Sequence, residues 1–208
     1  MSMKPYLNNS LVVLLMLAVI GLSPYPSHGE IQGENTIKHG TVEIGLQTGY
    51  WQAFTGLGNA VSSNRSAVFV LPQIGYVFTD KIEAGLLSGA FEVLFEPVGA
   101  HFFQPFSATL LGGSGVLRYN FLAFGPVVPY WDFGAGMAWT DLAPRIPEES
   151  TPFEFLLETG PGLQIFLTET LAIGGAVRLH HISNAGIGDR NTGINAVLGT
   201  IGFSIYFP

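Results

Sequence analysis

From residue 41 onward, apolar and polar positions alternate along the chain. In 127–140, Trp131, Phe133, Ala135, Met137 and Trp139 share one parity, while Tyr130, Asp132, Gly134, Gly136 and Ala138 share the other. Successive side chains of a strand point to opposite faces, so this period predicts a β-strand with one apolar side and one polar or small side. The pattern returns in 153–166, where Phe153, Phe155, Leu157, Leu163 and Ile165 oppose Glu154, Glu158, Gly160, Gly162 and Gln164. It returns again in 194–207, with Val197, Ile201, Phe203, Ile205 and Phe207 opposing Thr200, Gly202, Ser204 and Tyr206. Together with other stretches rich in Val, Ile, Phe, Tyr and Gly, the pattern predicts eight strands, at 41–54, 67–78, 82–95, 107–119, 127–140, 153–166, 171–184 and 194–207.

The connections suggest how these strands are arranged. Short turns at 79–81 and 167–170 alternate with longer segments at 55–66, 96–106 and 141–152, and an apolar turn of middle length covers 120–126. Short periplasmic turns and longer outer loops characterise outer-membrane barrels. Trp131 and Trp139 stand eight residues apart. On a strand tilted by about 40° that is roughly 20 Å of depth, close to the separation of two aromatic girdles. The expected fold is all-β: an eight-stranded antiparallel up-and-down transmembrane β-barrel with its N-terminus in the periplasm and odd strands running outward. A very apolar soluble β-protein is the alternative, and it would not need three strands with this alternation.

Composition narrows the choice. Only 11% of the 208 residues are charged, against about a quarter in soluble domains. Beyond the N-terminal segment no apolar run approaches the roughly 18 residues of a helical span. Lys4, the apolar stretch from Leu11 to Leu22, the breakers Pro24 and Pro26, and Ser27-His28-Gly29 compose a secretory signal. The expected organisation is a signal peptide at 1–29 and one outer-membrane β-barrel domain at 30–208; an uncleaved anchor is the alternative. The absence of Cys removes disulfide frameworks, thiolate metal sites and a lipoprotein anchor. A net charge of −7 argues against nucleic acid, whose phosphates require clustered Lys and Arg.

One run carries candidate chemistry: Arg178-Leu179-His180-His181-Ile182-Ser183-Asn184-Ala185-Gly186-Ile187, followed by Asn191-Thr192-Gly193-Ile194-Asn195. This His-x-Ser-Asn-Ala-Gly string, leading through an Asn-rich turn into the last strand, resembles the lipid A 3-O-deacylase (PagL) family. The resemblance implies a serine esterase that removes an ester-linked acyl chain from lipid A. It assigns His181 as base and Ser183 as nucleophile. Asn184, the Ala185-Gly186 backbone and Asn191 match positions of the active-site hydrogen-bond network and oxyanion support. The family's acid, a Glu, falls at Asn195, so the chain departs from the pattern there. Asn195 could orient His181 through its carbonyl oxygen, or Asp189 in the same turn could substitute.

Strand parity supports the geometry independently. His181 and Ser183 share a face with Ile173, Val177 and Leu179, and Asn195 shares one with Val197, Ile201 and Phe203. All three are expected to point to lipid at the outer ends of the last two strands. Residues two apart on a strand share a face, which allows the imidazole to activate the hydroxyl. His180 has the opposite parity and is expected in a polar lumen beside Arg178, which could pair with Glu154 or Glu158. Adjacent histidines on a strand diverge, so His180 and His181 make no metal motif. No cofactor is implied. The expected partner is lipid A, or lipopolysaccharide, within outer-membrane lipid, and a homodimer is left open. The competing class is a non-catalytic structural barrel or a small transporter of apolar solutes.

Overall fold

The computed structural model describes residues 31–55, 64–143 and 145–208; the expected signal peptide lies outside them. A four-residue helix, α1 (Gly33–Thr36), precedes β1 (Val42–Ala53), β2 (Ser66–Val77), β3 (Gly89–Gln104), β4 (Ala108–Phe121), β5 (Val127–Thr140), β6 (Phe153–Phe166), β7 (Leu171–Ser183) and β8 (Ile194–Phe207). Each strand pairs antiparallel with the next, and β8 returns to β1 to close the barrel. This is the expected eight-stranded fold. Strands β5, β6 and β8 begin and end where the alternation does.

Strand β3 departs from expectation. It was expected at 82–95 with a long outer loop at 96–106, but it runs Gly89–Gln104. The connection before it is correspondingly long, 78–88 rather than 79–81, and contains a 3₁₀ turn at Gly85–Leu87. The outer connection shrinks to 105–107. Pro97 explains the error, because proline lacks a ladder donor and ordinarily marks a strand's end. Here it faces a second proline across the sheet. Paired register between β2 and β3 stops at Val70↔Gly99 and resumes at Ile74↔Phe95, and the gap holds Pro72 and Pro97. The missing donor falls where the ladder is already interrupted, so the strand continues.

The two faces separate as the alternation predicts. Ile44, Val70, Phe95, Leu111, Phe133, Met137, Leu157 and Ile201 are large, apolar and exposed on the outside. Among the described residues no helix is long and apolar enough to cross a membrane. The surface that meets lipid is the sheet itself, closed so that no strand edge is left unpaired.

The lumen is filled in three layers. At one end, Ile37 behind α1 packs with Val77, Leu122, Val128, Phe166 and Tyr206. At the other end, Trp51, Phe69, Phe102, Leu110, Ile146 and Ile182 pack together. Between them lies a buried charge network. Arg118 reaches Asp132 at 2.8 Å and Glu43 at 3.3 Å. Arg178 reaches Glu96, Asp132 and Glu158, each at 2.9 Å. Of the two carboxylates expected near Arg178, only Glu158 pairs with it. Removing one partner from such a network strands the others in a low dielectric.

Candidate active site

The site is built where β7 ends and β8 begins. His181 and Asn195 are direct register partners on these strands. Both are half-buried on the outer face, and His181 Nδ1 lies 2.7 Å from Asn195 Oδ1. The amide oxygen can only accept, so it takes the Nδ1–H and leaves Nε2 as the imidazole's acceptor. Ser183, the last residue of β7, shares this face and is half-buried too. The structure therefore brings all three residues to one patch. It joins His181 to Asn195, while no hydrogen bond links His181 to Ser183. Asp189 is exposed in the following loop.

Beyond Ser183 the chain turns abruptly. Ile187 N–H donates to the Asn184 carbonyl at 3.0 Å, and the two residues between, Ala185 and Gly186, have φ of 52° and 80°. These angles make a type I′ turn. Glycine adopts the left-handed region freely, whereas alanine there costs on the order of 1 kcal/mol, so the surroundings must hold the turn. Asn184 does much of this. It is fully buried; its Oδ1 accepts from Gly186 N–H at 3.0 Å and its Nδ2 donates to the Arg190 carbonyl at 2.7 Å. Asn191 joins through its Oδ1, which accepts from Asn184 N–H at 3.2 Å.

A second loop locks the first, and sequence reasoning missed it. Glu149, in the segment between β5 and β6, accepts from Gly193 N–H at 3.0 Å and from Asn184 N–H at 3.3 Å. Burial pushes the Glu149 carboxyl upward from its ordinary range, and the two backbone amides pull the other way. Its neighbour Glu148 holds Arg65, from the β1–β2 connection, through oxygens at 2.7 and 2.8 Å. Three outer loops are thus tied together above the His181–Asn195 pair. Nothing in the local pattern around Glu149 could have shown this, because its partners lie 35 and 44 residues away.

Gly193 was also missed as a functional position. Its φ is +72°, and a Cβ placed there would lie 2.5 Å from Cε1 and 3.1 Å from Nε2 of His181. The imidazole thus rests against bare backbone. Gly193→Ala should displace the ring and strain the turn, lowering any His181-dependent turnover by at least about tenfold. The barrel should stay folded, as checked by its heat-modifiable migration on a gel. Unchanged turnover would show that the ring position does not matter. His180 faces the lumen as expected, where it accepts a bond from Trp51 Nε1 at 3.2 Å. Among the described residues no group of three or more His, Cys, Asp or Glu is arranged to hold a metal ion.

Comparison with known proteins adds a family to this geometry. The sequence model described as Lipid A 3-O-deacylase (PagL) matches residues 81–204, a span that runs through His181, Ser183 and Asn195. No curated protein matches the sequence. The crystal structure of the outer membrane enzyme PagL is similar, with a TM-score of 0.51 at 17% identity, covering 78% of this chain and 98% of that one. The crystal structure of Neisserial surface protein A is similar at 0.52 and 16% identity, covering 81% of this chain and all 100% of that one. At such identities the likeness is one of fold.

Proposed function

Because this chain belongs to the lipid A 3-O-deacylase family, we propose that it is an outer-membrane serine esterase that releases an ester-linked acyl chain, the 3-O chain, from lipid A. The observation that carries the reading is the 2.7 Å contact between His181 Nδ1 and Asn195 Oδ1 on a lipid-facing surface beside Ser183. A substrate anchored in the outer leaflet reaches that surface sideways, without crossing a lumen.

In this mechanism Ser183 Oγ attacks the ester carbonyl as His181 Nε2 takes its proton. The imidazolium then protonates the leaving sugar oxygen, and water, activated by the same nitrogen, frees the fatty acid. Catalytic hydrogen bonds often close only on substrate binding, so the Ser183–His181 contact is assigned to the complex. The oxyanion donors are the Ala185 N–H, which the turn's own hydrogen bond does not use, and the amide nitrogen of Asn191, whose oxygen is held by Asn184.

Asn195 fixes the useful tautomer but, being neutral, gives the imidazolium no charge to lean on. Asn195→Asp supplies that charge on a side chain of the same length. It should raise the rate of acyl release by about tenfold or more, measured with purified protein in detergent micelles. A rate that falls or stays level would show that charge at this position is not limiting. The neutral Asn195 also favours a second reading, a barrel that keeps the motif with little turnover. Mass spectrometry of lipid A from a Gram-negative host decides between them. Loss of one hydroxyacyl mass only when the chain is expressed supports the esterase. An unchanged spectrum, with the barrel folded in the outer membrane, overturns it for that lipid A.

A further inference from the structure

The connection 78–88 between β2 and β3 lies at the end of the barrel opposite the candidate site, the periplasmic end, where turns are ordinarily short. Its two legs are bonded to each other: Ile82 N–H donates to the Gly89 carbonyl at 2.7 Å, and Gly89 N–H donates back at 3.1 Å. The tip between them, Ala84-Gly85-Leu86-Leu87, carries no charge, and its bend places Gly85 at a φ of 62°. Leu86 and Leu87 are 71% and 64% exposed, and Ile82 beside them is exposed too. Single exposed apolar side chains are common on proteins, whereas three on one short turn mark a surface that meets something apolar.

The tip leans over the outer wall. Tyr119, on the same face of β4 as the exposed Leu117, donates through its hydroxyl to the Leu87 carbonyl at 2.8 Å. Its ring crosses Gly89, where a Cβ would lie 2.7 Å from the ring, so the turn can come down close against the sheet. The same ring belongs to a line of aromatic contacts along this rim: Phe78 to Phe91 at 6.2 Å, Phe91 to Tyr119 at 4.8 Å, and Tyr119 to Phe121 at 5.0 Å. The base of the turn is tied elsewhere. Lys81 lies 2.7 Å from Glu34 of α1 and 3.3 Å from Glu83, and the carbonyl of the buried Ser88 accepts from Leu122 N–H at 2.8 Å. Charge therefore sits beside the lumenal plug, and the uncharged tip sits on the wall.

We infer that Leu86 and Leu87 are inserted among the phospholipid acyl chains of the periplasmic leaflet, so that this turn is a membrane anchor and not a loop in water. Lipid is the occupant because the tip continues the apolar wall. It is joined to the aromatic rim through Tyr119, and beyond that rim the exposed Val93 and Leu117 follow on the same side of the sheet. A tyrosine at such a rim keeps its ring in the apolar zone and its hydroxyl towards the headgroups. Here the hydroxyl meets the Leu87 carbonyl instead, which holds both leucines at rim depth and satisfies a backbone group that lipid would leave without a partner. The inference is independent of the esterase reading.

The chain has no Cys, so Leu86→Cys can carry a single nitrobenzoxadiazole label. The test uses full-length protein refolded in phosphatidylcholine vesicles, with heat-modifiable migration confirming the barrel. Emission should fall by about half or more when the lipid is brominated on the upper acyl chain, the depth of roughly 5–10 Å at which an interfacial apolar face sits. Acrylamide on both sides of the vesicle should quench this label at least about threefold less than the same label at Glu83→Cys, on the exposed base of the turn. Tyr119→Phe keeps the ring but removes the donor to Leu87, and should raise acrylamide quenching of the Leu86→Cys label by about twofold. Equal acrylamide quenching at both positions, with no effect of brominated lipid, overturns the inference, because the tip then stands in water. Protection from both quenchers overturns it as well, by placing protein, a second copy included, over the tip. An unaltered label in Tyr119→Phe overturns the role given to the hydroxyl.

Discussion

Ser183→Ala is expected to stop acyl release almost completely, lowering turnover by about 10³-fold or more, with the barrel unchanged in heat-modifiable migration. The magnitude follows from the chemistry: without the hydroxyl there is no acyl-enzyme, and only a weakly positioned water can attack the ester. His181→Ala should cost a similar factor. The double variant should cost little more than either single one, because residues that act as a unit lose the same step whichever is removed. That non-additivity is the sharper measurement. If the two losses multiplied, His181 and Ser183 would be contributing independently, and a shared nucleophile–base function would be excluded. Asn195→Ala should be milder, since it removes only the acceptor that orients Nδ1.

The second large effect concerns stability. Arg178→Met should destabilise the barrel by about 3–5 kcal/mol, seen as a lower urea midpoint in lipid vesicles followed by tryptophan fluorescence. Arg178 is completely buried and touches three carboxylates, Glu96, Asp132 and Glu158. Methionine fills much of its volume, so the loss reports stranded charge rather than a cavity. Adding Glu158→Gln to Arg178→Met should recover part of the midpoint, because one stranded carboxylate is neutralised. An unshifted midpoint in the single variant would mean that the lumenal carboxylates are already neutral without Arg178.

How much of this was legible depends on range. Strands β5, β6 and β8 could be placed to the residue because their apolar side is in lipid and their other side in a packed lumen, which imposes period two from end to end. Strand β3 could not, since Glu96 and Pro97 imitate a loop. The reason they do not form one, the opposing Pro72, is on another strand. The outward facing of His181, Ser183 and Asn195 followed from parity. The pairing of His181 with Asn195 required the register, which parity alone leaves open. Glu149 and Gly193 were illegible for opposite reasons: Glu149 acts over long sequence separation, and Gly193 acts by lacking a side chain.

The plugs at both ends of the lumen have a bearing on traffic. Among the described residues, the lumen is packed by Ile37 and its neighbours at one end and by Trp51, Phe69 and Phe102 at the other, a filling that opposes passage of water or product through the interior. In the proposed reaction, water therefore has to arrive from the loop side of the site, and the freed fatty acid departs into the surrounding leaflet. Release then becomes two-dimensional diffusion away from a wall, and its speed will depend on how fluid the neighbouring lipid is. The composition of the membrane becomes, in effect, a kinetic parameter of the proposed reaction.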